Sequence, residues 1–103
     1  MAKTKTSIQM DFKKADEQAK ELEEIASALE SLANKDITDC LTAIGNHWKG
    51  DNATAYIKKG NTVKENIQNV AKSLKKSAET IKEIAGNTKE AEMKALNSVK
   101  TKQ

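Results

Sequence analysis

Between Ile8 and Ala33 the apolar side chains fall at alternating steps of four and three: Ile8, Phe12, Ala15, Ala19, Leu22, Ala26, Leu29 and Ala33. Seven residues for every two steps is two turns of a slightly underwound helix, so the pattern lines one side of an α-helix. Ile25 and Leu32 widen the stripe, as in a helix packed within a globular bundle. The second half repeats the spacing through Tyr56, Gly60, Val63, Ile67, Val70, Leu74, Ser77, Ile81 and Ile84, with Ile57, Ala71, Ala78 and Ala85 beside it. No Pro occurs in the 103 residues, which permits long uninterrupted helices. The expected class is all-α, an antiparallel two-helix hairpin.

Three places punctuate the pattern. Asn34-Lys35-Asp36 interrupts the first stripe. Either Asp36 caps a fresh turn carrying Ile37, Cys40, Leu41 and Ile44, or the helix runs through with a shift of phase. The corner is expected at residues 46–52, where Trp48 is followed two residues later by Gly50 and where Asp51 or Asn52 is a suitable N-cap. Gly86-Asn87 reads as a helix end or a kink. The organisation expected is a flexible segment over residues 1–7, a helical hairpin over 8–87 and a weakly helical or flexible tail over 88–103.

Charge supports the hairpin. Residues 8–47 carry nine acids and four Lys, whereas 48–103 carry six acids and twelve Lys. An acidic helix beside a basic one gains a weak, salt-screened preference for pairing. Two helices of this size nevertheless bury too little apolar surface to offset the entropy of ordering them, at ~25 cal/mol per Å² against ~1.5 kcal/mol per residue. Association into a four-helix bundle is therefore expected, with a copy of the chain or with a different helical protein, through a second surface at Ile25, Leu32, Ile57 and Ala71.

Catalysis is not expected. His47 is the only His and Cys40 the only Cys, so neither a metal site nor a Cys/His pair has the required spacing, and no catalytic, metal-ligating or cofactor-binding residue is assigned. The four Gly are scattered rather than grouped in a phosphate loop, and Gly60 reads as a close approach between helices. Glu21, Glu23 and Glu24 read as a solvated face, and Cys40 as a small buried hydrophobe. No run of ~18 apolar residues spans a bilayer, and no apolar stretch follows Lys3 and Lys5, so an ordinary secretory signal is not expected. Nucleic-acid binding is the rival by charge, because Lys58, Lys59, Lys72, Lys75, Lys76 and Lys82 make the second helix basic. All 18 cations are Lys and the three aromatics are not interleaved with them, so such binding is expected to be weak, salt-sensitive and without base specificity.

Trp48-Lys49-Gly50, near the middle of a proline-free chain and between two heptad-patterned helices, resembles the turn of the WXG family, the small early-secreted-antigen-like hairpin proteins of type VII secretion systems. The resemblance covers about residues 8–92. It implies a homodimer or heterodimer forming a four-helix bundle, and passage from the bacterial cytoplasm to the cell surface or medium without a cleaved signal peptide. It also implies one of two roles: a targeting partner or chaperone for the helical N-terminal domain of a larger toxin, or an independently exported virulence factor. A secretion ATPase is an implied further partner. The family's export signal, an aromatic followed four residues later by an acid, corresponds here to Thr88 and Glu92, with Thr in place of the aromatic. Either a bound partner supplies the signal or the motif lies elsewhere. Phe12 and Asp16 have the same spacing near the other end, although Phe12 also belongs to the apolar seam.

Overall fold

The computed structural model describes residues 3–102. The chain is all-α: helix α1 (Lys5–Ser31), a π-helical segment (Leu32–Ile37), helix α2 (Thr38–His47) and helix α3 (Asp51–Lys102), with no strand among the described residues. α1 starts earlier than its apolar stripe because Thr4 caps it. The Ser7 amide donates to the Thr4 hydroxyl at 3.1 Å and the Ile8 amide to the Thr4 carbonyl at 3.0 Å, satisfying donors that a helix start leaves open. The segment expected to be flexible is thus helical from Lys5; Met1 and Ala2 lie outside the described residues.

At Asn34-Lys35-Asp36 the helix runs through with a shift of phase. Leu29, Ala33, Ile37 and Leu41 follow one another at steps of four, one residue more than the four-three alternation allows. The π-helical segment absorbs that residue, keeping Ile37 and Leu41 half-buried while Asp36 and Asp39 stay exposed. The Thr38 hydroxyl donates to the Ala33 carbonyl at 3.1 Å within the widened turn.

The break between helices is confined to residues 48–50. The Trp48 amide still closes the last turn of α2 on the Ile44 carbonyl at 2.8 Å, but its backbone is extended, at φ −114° and ψ 142°. Gly50 has φ +104°, a conformation that a Cβ disfavours. α3 opens at once with Asp51, so Asp51 and Asn52 lie inside the helix rather than at its cap, and Asp51 places a negative charge in the first turn. α3 then continues through Gly86 and Asn87 to Lys102. The tail expected from residue 88 is therefore part of the helix, with Gln103 outside the described residues.

The packing divides into two compact units, Glu23–Lys75 and Met1–Leu22 with Lys76–Gln103, called here the corner unit and the terminal unit. In the corner unit the chain forms a helical hairpin. Glu30 meets Lys75, Asn34 meets Gln68 and Trp48 meets Tyr56, an antiparallel series converging on the corner. Gly60 admits Leu41: a Cβ there would overlap the Leu41 side chain, whose Cγ lies 3.2 Å from that point. In the terminal unit Ile8, Ala19 and Ala78 are buried and Phe12, Ala15, Ile81 and Ala85 are half-buried.

The seam of α1 is the one its spacing foretells, since all eight positions from Ile8 to Ala33 are buried or half-buried. In α3 the inward line is rotated. Gly60, Ile67, Leu74 and Ile81 point inward together with Ile57, Ala71, Ala78 and Ala85, while Tyr56, Val63, Val70, Ser77 and Ile84 are exposed. The reason is size. The fully buried positions are Ile8 and alanines, and small side chains let two helices approach closely, whereas larger ones would hold them apart. Ala71, expected on an outer surface, is accordingly buried within the hairpin.

Candidate functional site

The corner unit has two unlike sides. Residues one place after a seam residue are polar: Glu30 and Asn34 on the first arm, Gln68 and Lys75 on α3. They join across the seam, Lys75 to Glu30 as an ion pair and the Gln68 amide to the Asn34 carbonyl oxygen at 2.7 Å. The residues one place before Ala26, Ala33, Leu41, Ile57 and Ala71 are apolar, namely Ile25, Leu32, Cys40, Tyr56 and Val70, and Val63 stands on the same line, seven residues from both Tyr56 and Val70. Antiparallel helices are related by a two-fold axis normal to the plane that contains them, so equal offsets from the seam fall on the same side.

The apolar side is open. Ile25, Leu32, Tyr56, Val63 and Val70 are each between 39% and 60% exposed. Ile37, Cys40, Leu41, Ile44, Tyr56 and Val63 line a groove of about 420 Å³, with Asp36 and Lys59 at its margins. Of the residues expected to form a second surface, Ile25 and Leu32 are exposed, Ile57 is half-buried, and Ala71 is inside. Cys40, expected to be buried, is exposed. The extra residue of the π-helical segment moves it one place ahead of Leu41 and out of the seam. The spacing of Tyr56, Val63 and Val70 was visible in the sequence, but their exposure depends on the alanines beside them taking the inner position.

A second cluster forms in the terminal unit. Lys3 donates to Asp11 and to Glu92, both at 3.0 Å, and the Lys89 ammonium lies 4.5 Å from the centroid of the Phe12 ring. Phe12, Thr88, Lys89 and Glu92 share a cavity of about 270 Å³ whose apolar wall includes Ile8, Ile81 and Ile84. Phe12, Thr88 and Glu92, read from two distant motifs, are thus brought together. Asp16 is not among them and pairs with Lys20 at 3.2 Å. The hydrogen bond from Glu92, then that from Asp11, raises the Lys3 pKa above its ordinary value. Lys3, Asp11 and Lys89 were not foreseen, because their contacts join residues as far as 89 positions apart.

The corner residues Trp48 and His47 are exposed, and the Trp48 ring packs edge-on against Tyr56. Among the described residues no group of three His, Cys, Asp or Glu is placed to hold a metal ion, and no helix is long and apolar enough to cross a membrane. Comparison with family models, curated proteins and solved structures finds no match to this chain.

Proposed function

We propose that this chain is a small helical association protein of a type VII secretion system, which binds a helical partner and helps to target it for export. The observation that carries the reading is an inversion of the usual burial. Alanines fill the hairpin seam, while Ile25, Leu32, Tyr56, Val63 and Val70 stand outside it. Exposed apolar surface organised along one side of a hairpin marks an association surface. A second hairpin laid on it completes a four-helix bundle. The partner in this reading is the helical N-terminal domain of a toxin or a sister hairpin. The Trp48-Lys49-Gly50 corner between two helices supports the assignment to the WXG family.

The terminal cluster supplies what the second helix lacks on its own. Thr88 cannot serve as the aromatic of an export signal, but Phe12 stands beside Thr88 and Glu92. An aromatic face and a carboxylate then come from two helices instead of one. Affinity capture of the tagged chain from its native host, followed by mass spectrometry and light scattering, tests the reading. A stable complex with a larger protein of helical N-terminus supports the targeting role, and a pure self-dimer found in the culture medium supports an independently exported factor. Capture of nucleic acid alone, surviving physiological salt, would overturn both.

A further inference from the structure

We propose that the cavity of the terminal unit is a binding site for a medium-chain carboxylate, its acyl chain in the hollow between α1 and α3 and its carboxylate on the Lys89 ammonium. The inference goes beyond the export reading and does not depend on it. Three observations carry it.

The first is how the hollow arises. α1 supplies Ile8, Phe12 and Ala15 at steps of four and three, and α3 supplies Ile81, Ala85, Thr88 and Glu92 at steps of four, three and four. Ala15, Ala85 and Thr88 are short where Phe12 and Ile81 beside them are long, so the two facing lines leave space between them. The wall is apolar, with Ile8 only 2% exposed, and charged groups stand among its lining residues. An apolar hollow with a few convergent polar groups is the usual setting for a small ligand.

The second is size. A volume of about 270 Å³ is room for about nine water-sized groups at roughly 30 Å³ each. A methylene is close to a water in size, so a straight chain of about nine carbons fills the cavity. A longer acyl chain leaves its remaining methylenes in water and gains nothing from them.

The third is charge, which selects the head group. The Lys3 ammonium donates to Asp11 and to Glu92, both at 3.0 Å, so these three groups are committed to one another. Lys89 is held differently, with its ammonium 4.5 Å from the centroid of the Phe12 ring. It can swing onto an incoming carboxylate without parting Lys3 from its two acids. An alcohol of the same length gains the apolar wall but not the charge, and an alkylammonium is repelled.

The test uses the full chain. Octanoate, nonanoate, decanoate and laurate, below their micelle-forming concentrations, are titrated into the isotope-labelled protein and followed by NMR. Shifts are expected at Phe12, Ile81 and Ala85. Each methylene is expected to tighten binding about fourfold up to decanoate, and laurate is expected to bind no tighter than decanoate. Ala85→Leu occupies the cavity and is expected to bring binding below detection. Lys89→Gln keeps the cavity and is expected to weaken decanoate about fivefold while leaving decanol unchanged, a difference that a folding defect does not produce.

No shift at millimolar decanoate, or shifts at Tyr56 and Val63 in place of Ile81, overturns the site. Affinity that goes on rising through laurate and palmitate overturns the enclosed cavity in favour of adsorption on the surface. Decanoate, decanol and decylammonium bound alike, with no response to Lys89→Gln, overturn the role of Lys89. Binding is read on the isolated chain, so capture and secretion remain separate measures of the export reading.

Discussion

The Trp48 indole meets the Tyr56 ring edge to face, with centroids 5.6 Å apart and planes at 81°. Trp48 ends α2, and Tyr56 lies in the second turn of α3, so the contact braces the three-residue corner from outside the seam. Both rings are more than half exposed. Trp48→Ala is therefore expected to cost about 0.5–1.5 kcal/mol, the worth of an aromatic pair beyond its area, and to leave helicity intact. Denaturation followed by circular dichroism checks this. A mutant that unfolds outright would make Trp48 a structural plug rather than a brace with a surface open to a partner.

Gly60 and Gly50 are needed for different reasons. At Gly60 a side chain collides with Leu41, so Gly60→Leu is expected to cost about 1–3 kcal/mol through overpacking. At Gly50 there is space but φ is +104°, so Gly50→Ala is expected to cost at least about 1 kcal/mol in backbone strain. Gly86 has neither constraint, being helical with open space around it. Gly86→Ala is expected to gain about 0.5–1 kcal/mol. Thermal unfolding of the three variants side by side decides the assignment, and a Gly60→Leu protein as stable as the parent would show that Leu41 relaxes at no cost.

Much of this fold is legible in the spacing of the first helix, because there the small and large apolar residues share one line. Ala19, Ala26 and Ala33 alternate with Leu22 and Leu29, and any inward rotation must bury them together. In α3 the small residues occupy a neighbouring line. Spacing alone cannot choose between Val70 and Ala71, since both lie seven residues from their counterparts Val63 and Ala78. What chooses is how near the helices come, a property of the pair and not of either sequence. The same limit applies to the terminal cluster. Phe12 and Glu92 each attract notice from local spacing, but Lys3 and Asp11 acquire meaning only once α1 lies beside the end of α3. The π-helical segment sits between these cases, as its extra residue can be counted in advance while the exposure of Cys40 follows only from how that residue is absorbed.

Lys3 gives the terminal unit a pH signature. Its pKa is raised above 10.5 in the folded chain, first by Glu92 and then by Asp11. A raised pKa on a cation means that its contribution is complete below the unfolded value of 10.5 and disappears as pH climbs through the folded value. No loosening of this tie is expected between pH 6 and about 9, and loosening begins only above ~10.5. Carbon NMR titration of the Lys3 side chain checks it. Glu92→Gln is expected to lower the Lys3 pKa more than Asp11→Asn does, and the opposite order would show that Asp11 is the principal partner.

Cys40 is a built-in reporter of the apolar side. It is the only thiol, it is exposed, and it lines the groove with Val63 and Tyr56. If a helical partner covers the groove the thiolate loses access to reagent, so reaction with a chromogenic disulfide is expected to be slower in the captured complex than in the isolated chain. Val63→Asp is expected to react at the fast rate whether or not the partner is present. A rate unchanged by the partner in the parent protein would place Cys40 outside the interface.

Phe12 separates packing from recognition. Its ring is half-buried on the α1 seam, and it also presents a face to Lys89 beside Thr88 and Glu92. Phe12→Leu keeps most of the apolar volume but removes the ring face, at a cost of about 1 kcal/mol or less for a volume-conserving exchange and an exposed cation–π contact. Under the export reading, Phe12→Leu and Glu92→Gln are expected to lower secretion of the captured complex at least tenfold, with the intracellular complex still formed. Quantitative immunoblotting of cell and medium fractions measures both halves. If secretion is unchanged in both variants, the cluster is an ordinary helix-end contact and the bound partner carries the signal. If Phe12→Leu also dissolves the complex, Phe12 acts through packing, and Glu92→Gln is then compared with Lys3→Gln, which breaks the same ion pair but keeps the carboxylate.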